Sequence, residues 1–207
     1  MPVRNIKNAV QAAQFRIKFK DIFNLKEFYR AMHDWLEEYE WSSVGYDEKE
    51  EGKDHYETLY VQRDGPAGAE HWWWWRLQKK PPTGNSYFKY HLDLDFHTLA
   101  IQDTEVMRDG KKMKANKGEV DVNVFAYLEF DAEGKWSSHP FLRLLNKVFP
   151  NRVYRKEIFE VRKLELYREA YILQDYIKKW FKLRTFLPYE EVGPFYPSHA
   201  YPKWKSS

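Results

Sequence analysis

Between Asn85 and Ala100 the chain reads NSYFKYHLDLDFHTLA, and every second residue from 91 to 97 can bind a proton or a metal: His91, Asp93, Asp95 and His97. Side chains on a strand have a period of two, so all four leave one face of a long strand. A His and an Asp two apart can ligate one ion, as zinc and non-haem iron sites do with a third ligand from elsewhere. Alternate residues are ~6.8 Å apart along a strand, so only an adjacent pair of the four reaches the same ion. Asp93 and Asp95 also have the types needed for a carboxylate pair in acid–base chemistry. Nothing else completes such a set. The chain has no G-x-G-x-x-G, P-loop, H-E-x-x-H or G-x-S-x-G motif, and Ser42-Ser43 and Ser137-Ser138 have no triad context. The plainer reading is a solvated sheet face, its acids meeting Arg16, Lys18, Lys20 or Lys89 across strands. On that reading no cofactor is expected, Asp93→Asn is mild, and Leu94→Asp, on the apolar face, unfolds the protein.

Recognition by aromatics is the second chemistry on offer. In EHWWWWRL, Trp72 and Trp74 share one strand face and Trp73 and Trp75 the other. A half-buried strand needs one aromatic face, so this one is covered on both sides or presents a wet aromatic patch. Exposed rings can stack bases, but Asp93, Asp95, Glu119 and Asp121 would then approach phosphates and repel them. Lys111, Lys112, Lys114 and Lys117 form a basic hairpin that either touches nucleic acid, a ribosome included, or is a solvated edge. Near the end stand Tyr189, Phe195, Tyr196, Tyr201 and Trp204, interspersed with Pro188, Pro194, Pro197 and Pro202. The prolines deny this segment a helix or central strand. Its aromatics exceed disordered composition and favour a tail pinned to its own domain or to another chain.

The elements that must position these residues follow from periodicity. Phe15, Ile17 and Phe19 alternate with Arg16, Lys18 and Lys20 as a first strand, preceded by a short helix or irregular arm over 1–13. Asn24 caps a helix over 25–41, with Leu25, Phe28, Met32, Trp35, Leu36 and Tyr39 on its apolar stripe and His33 beside it. Residues 42–53 read as a loop, 54–63 as a strand and 64–66 as a turn. The tryptophan strand turns at 81–84 into the central strand. Asp109-Gly110 marks a hairpin, and Asn116 to Gly118 a second turn. Residues 119–130 alternate as another strand. Ser138 caps a short helix over 139–149, and 152–183 run at helical spacing for ~45 Å. These elements predict an α+β fold: an antiparallel sheet of about five to six strands, one amphipathic helix after strand 1, and a long C-terminal helix, both helices on one sheet face. Residues 1–187 form one domain and 188–207 a tail.

Composition narrows the classes. With 207 residues the chain can bury a core without disulfides or metal. It has no cysteine, which excludes thiolate catalysis and Cys-ligated zinc. The net charge of +3, from 34 basic and 31 acidic residues, is not the footprint of a dedicated nucleic-acid binder. The start lacks a signal-peptide core, and the longest apolar run, Val124 to Leu128, cannot span a bilayer. A cytoplasmic protein with no membrane span is expected.

Strand, helix, antiparallel strands and a long C-terminal helix resemble the helix-grip order of START-type domains, which implies a cavity for a small apolar ligand. Separately, FKYHLDLDFHTLAIQDTEVMRDGKKMKANKGEVDVNVFAYLEFD is similar to a family of uncharacterised archaeal proteins, a resemblance over about 15–183 that supplies no function. The sequence therefore points first to a non-enzymatic interaction or assembly module, using the aromatic sheet face and the tail, with a protein partner or a second copy. The alternative is a helix-grip-like binder of a small apolar molecule, and the third reading a metal-dependent enzyme using the His-x-Asp-x-Asp-x-His strand.

Overall fold

Alternation of apolar and polar residues builds most of the sheet. The computed structural model describes residues 8–44, 56–81, 87–108, 111–131 and 161–183, together with Ile6, Gly134 and Ser138. Among these the order is β1 (Ala9–Phe23), α1 (Leu25–Glu38), β2 (Ser42–Ser43), β3 (Glu57–Gly65), β4 (Gly68–Lys79), β5 (Phe88–Arg108), β6 (Lys111–Phe130) and α2 (Lys163–Trp180). The sheet is six-stranded and antiparallel, in the order β1-β6-β5-β4-β2, with β3 also on the free edge of β4. The α+β class expected from the pattern is the class observed. No helix among the described residues is long and apolar enough to cross a membrane.

Register places Trp75 opposite Leu94, Leu94 opposite Val124 and Val124 opposite Phe15, one apolar row across four strands. Both helices cover this face. Asn24 caps α1, its side chain accepting from the Glu27 amide at 3.1 Å, and Phe28, Met32, Trp35 and Leu36 are buried. Leu166, Ala170, Leu173 and Ile177 are the matching face of α2. Phe28 of α1 joins the sheet and the end of α2, with rings 6.1 Å from Phe96, 5.0 Å from Trp180 and 4.7 Å from Phe181. Burying such a ring stabilises by about 1.5–3 kcal/mol. Two glutamates one turn apart fix α2 over the sheet: Glu165 accepts from the Tyr90 hydroxyl at 2.7 Å, and Glu169 from the Trp41 indole at 2.8 Å and Lys79 at 2.9 Å.

Several boundaries differ from expectation. Residues 9–13 are strand, not helix or irregular arm, because Val10 pairs with Leu128 on β6. α1 stops at Glu38, where Glu40 turns left-handed (φ 57°) and sends Trp41 into the core. Ser42–Ser43, expected in a loop, pair with Leu77–Gln78. Asn116 to Gly118 form no turn; they lie inside β6, paired with Phe23, Ile22 and Asp21. The Arg108–Lys111 pair closes the expected two-residue hairpin. His33 packs against Tyr56, 4.6 Å between tilted rings. The helix expected over 139–149, the 152–160 part of the long helix, and the tail over 188–207 lie outside the described residues.

Candidate ligand-binding cleft

The histidine–aspartate row is not a solvated face, which corrects the expectation from alternation. His91, Asp93 and Asp95 are only 3 %, 3 % and 2 % exposed. Trp74, Phe125 and Tyr127 stand across from Asp95, Asp93 and His91 on the same face, and their bulk shelters the shorter side chains. Each member of the row meets a partner on a neighbouring strand. His91 Nε2 lies 2.6 Å from Glu129 Oε2, and His97 Nε2 lies 2.7 Å from Glu70 Oε1. Arg76 reaches both aspartates, Nη1 to Asp95 Oδ1 at 2.6 Å and Nε to Asp93 Oδ2 at 3.7 Å, with its guanidinium 5.5 Å over the Trp74 ring. Burial, then the charge of Asp93, pushes the Tyr127 hydroxyl up. Arg16 and Lys18, expected to serve the row, pair instead with Asp121 and Glu119 on β6. Among the described residues no group of three or more His, Asp or Glu side chains converges as a metal site.

The four tryptophans divide by face. Trp73 and Trp75 are buried under the helices. Trp72 and Trp74 are half-buried on the opposite face, where the Trp72 ring stacks on His97 at 5.0 Å with Arg63 5.4 Å over it. The β4 strand is thus covered on one side and lined by cations on the other. Tyr189, Phe195, Tyr196, Tyr201 and Trp204 lie outside the described residues.

A different group of residues makes a hollow. The pairing of β5 shifts between Leu99 and Gln102, and Ala100 turns left-handed (φ 53°). This bulge presses β5 against both neighbours. A Cβ on Gly68 (φ 122°) would sit 2.7 Å from the Ile101 carbonyl oxygen, and one on Gly118 would sit 2.9 Å from that of Leu99. Glycine is required at both for close approach, and at Gly68 for its positive φ as well. Past the bulge, β4 pairs no further along β5, and β1 leaves β6 at Asn116. Asn116 then ties the start of α1 to the hairpin: its Oδ1 accepts from the Leu25 amide at 3.1 Å, and its Nδ2 donates to Asp103 at 3.0 Å. Between α1 and the strands opens a cavity of about 570 Å³. Tyr29 and Lys26 line it from α1, Tyr60 and Asp64 from β3, His71 and Trp73 from β4, and Ile101 and Asp103 from β5.

Trp73 stacks on Phe96 at 4.8 Å as the floor. On β3, the Tyr60 hydroxyl donates to Gln62 (3.3 Å) and Gln62 donates to Asp64 (3.1 Å). Buried Thr98 governs His71. Its Oγ1 accepts from the His71 backbone amide at 3.1 Å and lies 2.9 Å from Nδ1. A hydroxyl that donates to Nδ1 leaves the ring proton on Nε2. Burial lowers the His71 pKa, opposed by the charge of Asp64, so the ring is neutral with an N–H left to give. Apart from Trp73, sequence reasoning missed these residues, since they come from four distant segments. One signal was available: the strict alternation of β5 ends at Leu99-Ala100-Ile101, three apolar residues in a row where the bulge falls. No family model matches the chain, and no match is found among curated proteins or solved structures.

Proposed function

We propose that the protein is a non-enzymatic binder of a small organic molecule held in the cleft between α1 and β3–β6. The observation that carries this reading is the aromatic-walled hollow of about 570 Å³, within the range of roughly 300–1,000 Å³ typical of ligand sites. Its place, at the open end of a helix-covered antiparallel sheet, suits the helix-grip resemblance. Ala69 lines the cleft and is the residue to enlarge. The full chain is titrated with a panel of small aromatic compounds, read by tryptophan fluorescence and melting temperature. Binding is expected in the parent and at least tenfold weaker in Ala69→Phe at near-unchanged stability. A panel without a binder, or binding that Ala69→Phe leaves intact, defeats the reading.

Assembly is the second reading, favoured by one observation. Leu164, Tyr167 and Ile172 on α2 are 41 %, 40 % and 46 % exposed, an apolar stretch suited to a protein contact.

A further inference from the structure

Resting on the cleft reading, we propose that the ligand is an organic cation, an amidinium or ammonium carried on a flat ring. The charges around the cleft point that way. Among the described lining residues Asp64 and Asp103 stand against the one ammonium of Lys26, and His71 adds no charge. The walls are the rings of Tyr29, Tyr60 and Trp73, and a ring face attracts a cation through its quadrupole. An anion would meet two carboxylates and no matching cluster of cations among the described lining residues. A second hollow, on the far side of Asp103, makes the contrast. There Lys26 and Lys114 stand against Asp103 and Glu105, with no aromatic ring among the described lining residues, so these supply neither the charge bias nor the walls.

One group in the cleft favours another ligand. The His71 Nε2–H is a donor and suits a neutral acceptor such as an amide oxygen. Two considerations decide against its dominating. A charge-assisted hydrogen bond is about twice as strong as a neutral one, and the carboxylates outnumber the histidine. Asp64 and Asp103 are both exposed at the mouth, so the attraction is screened by salt.

Three isosteres separate these effects: benzamidine is cationic, benzamide neutral with an acceptor oxygen, and benzoate anionic. The full chain is titrated with each, following tryptophan fluorescence and melting temperature, with Ala69→Phe as the control for binding elsewhere. Benzamidine is expected to bind at least tenfold tighter than benzoate and tighter than benzamide, and to weaken as salt is raised. Asp64→Asn combined with Asp103→Asn should erase the preference without lowering the melting temperature, because both side chains are exposed. Benzamide or benzoate binding as well as benzamidine, with Ala69→Phe still blocking it, overturns the charge assignment and leaves the cleft standing. Failure of all three to bind, or binding that Ala69→Phe does not weaken, overturns both.

Discussion

Arg76 answers two carboxylates at once, and its loss shows what the polar row costs to bury. Its side chain is 12 % exposed, and those of Asp93 and Asp95 are 4 % and 3 % exposed. Removing one partner of a buried pair is far more damaging than never having had the pair. Arg76→Leu leaves Asp95 without its cation and takes one from Asp93, so urea unfolding should show a loss of about 3–5 kcal/mol. The same geometry reverses the mild outcome expected for Asp93→Asn. Both Asp93→Asn and Leu94→Asp should now lower the melting temperature, the second more, since the Leu94 side chain is fully buried on the apolar face. The alternation of His91 to His97 could not reveal this, because a solvated polar face and a sheltered ion-pair ladder share one pattern. Trp72 and Trp74, on the same face, were the residues that distinguished them. His71 sets a pH dependence. Its folded pKa is lowered by burial, whereas the unfolded side chain titrates near its ordinary value of about 6.5. Its contribution to stability is therefore complete above that value, is lost as pH falls from it towards the folded pKa, and then levels off. Denaturation curves between pH 5 and 8 should show that slope, and His71→Gln should flatten it.

At the scale of elements, what was legible is what alternation or capping specifies. Asn24 caps α1 as read, and the strands around Phe15–Phe19, Phe88–Phe96 and Val120–Phe130 carry their apolar residues inward. The exceptions arise where the backbone breaks its period. Gly118 reads as a turn because glycine among polar residues usually is one; here it admits the β5 bulge instead. A Cβ at Gly118 would meet the Ile101 Cδ1 at 2.6 Å as well as the Leu99 carbonyl. Ile101 can rotate away, but the carbonyl belongs to the backbone and cannot. Gly118→Ala is expected to destabilise by about 1–3 kcal/mol through overpacking. Gly68→Ala should cost more, since its contact is with backbone alone and its φ is one an L-residue rarely adopts. If thermal or urea melts find both alanines neutral, the bulge does not hold β5 against its neighbours. The cleft itself was hidden for a related reason. Tyr29, Tyr60, His71 and Asp103 meet only because the bulge and the start of α1 bring them together, and no local spacing records that.

At the scale of the whole molecule the question is what covers the apolar surface left outside α2. Phe28, Trp35, Leu166 and Leu173 are buried between the helices and the sheet. Leu164, Tyr167 and Ile172 are exposed, and among the described residues the Tyr167 ring meets that of Tyr171 on its own helix, 4.4 Å between centres and tilted. Residues 188–207 supply five aromatics interspersed with four prolines, a composition whose docking loses little entropy and whose rings suit interface anchors. The assembly reading joins the two: the tail of one copy engages its neighbour, and removing it leaves monomers. Truncation after Leu187, with mass by light scattering and a parallel melt, tests it. The expected result is an oligomer for the full chain and a folded monomer for the truncated one, with the melting temperature lower only by what association supplied and dependent on concentration only in the full chain. A full chain that stays monomeric from low micromolar to millimolar concentration defeats assembly. Unchanged mass with a much lower melting temperature would instead give the tail to its own domain, where it adds to the fold that holds the cleft.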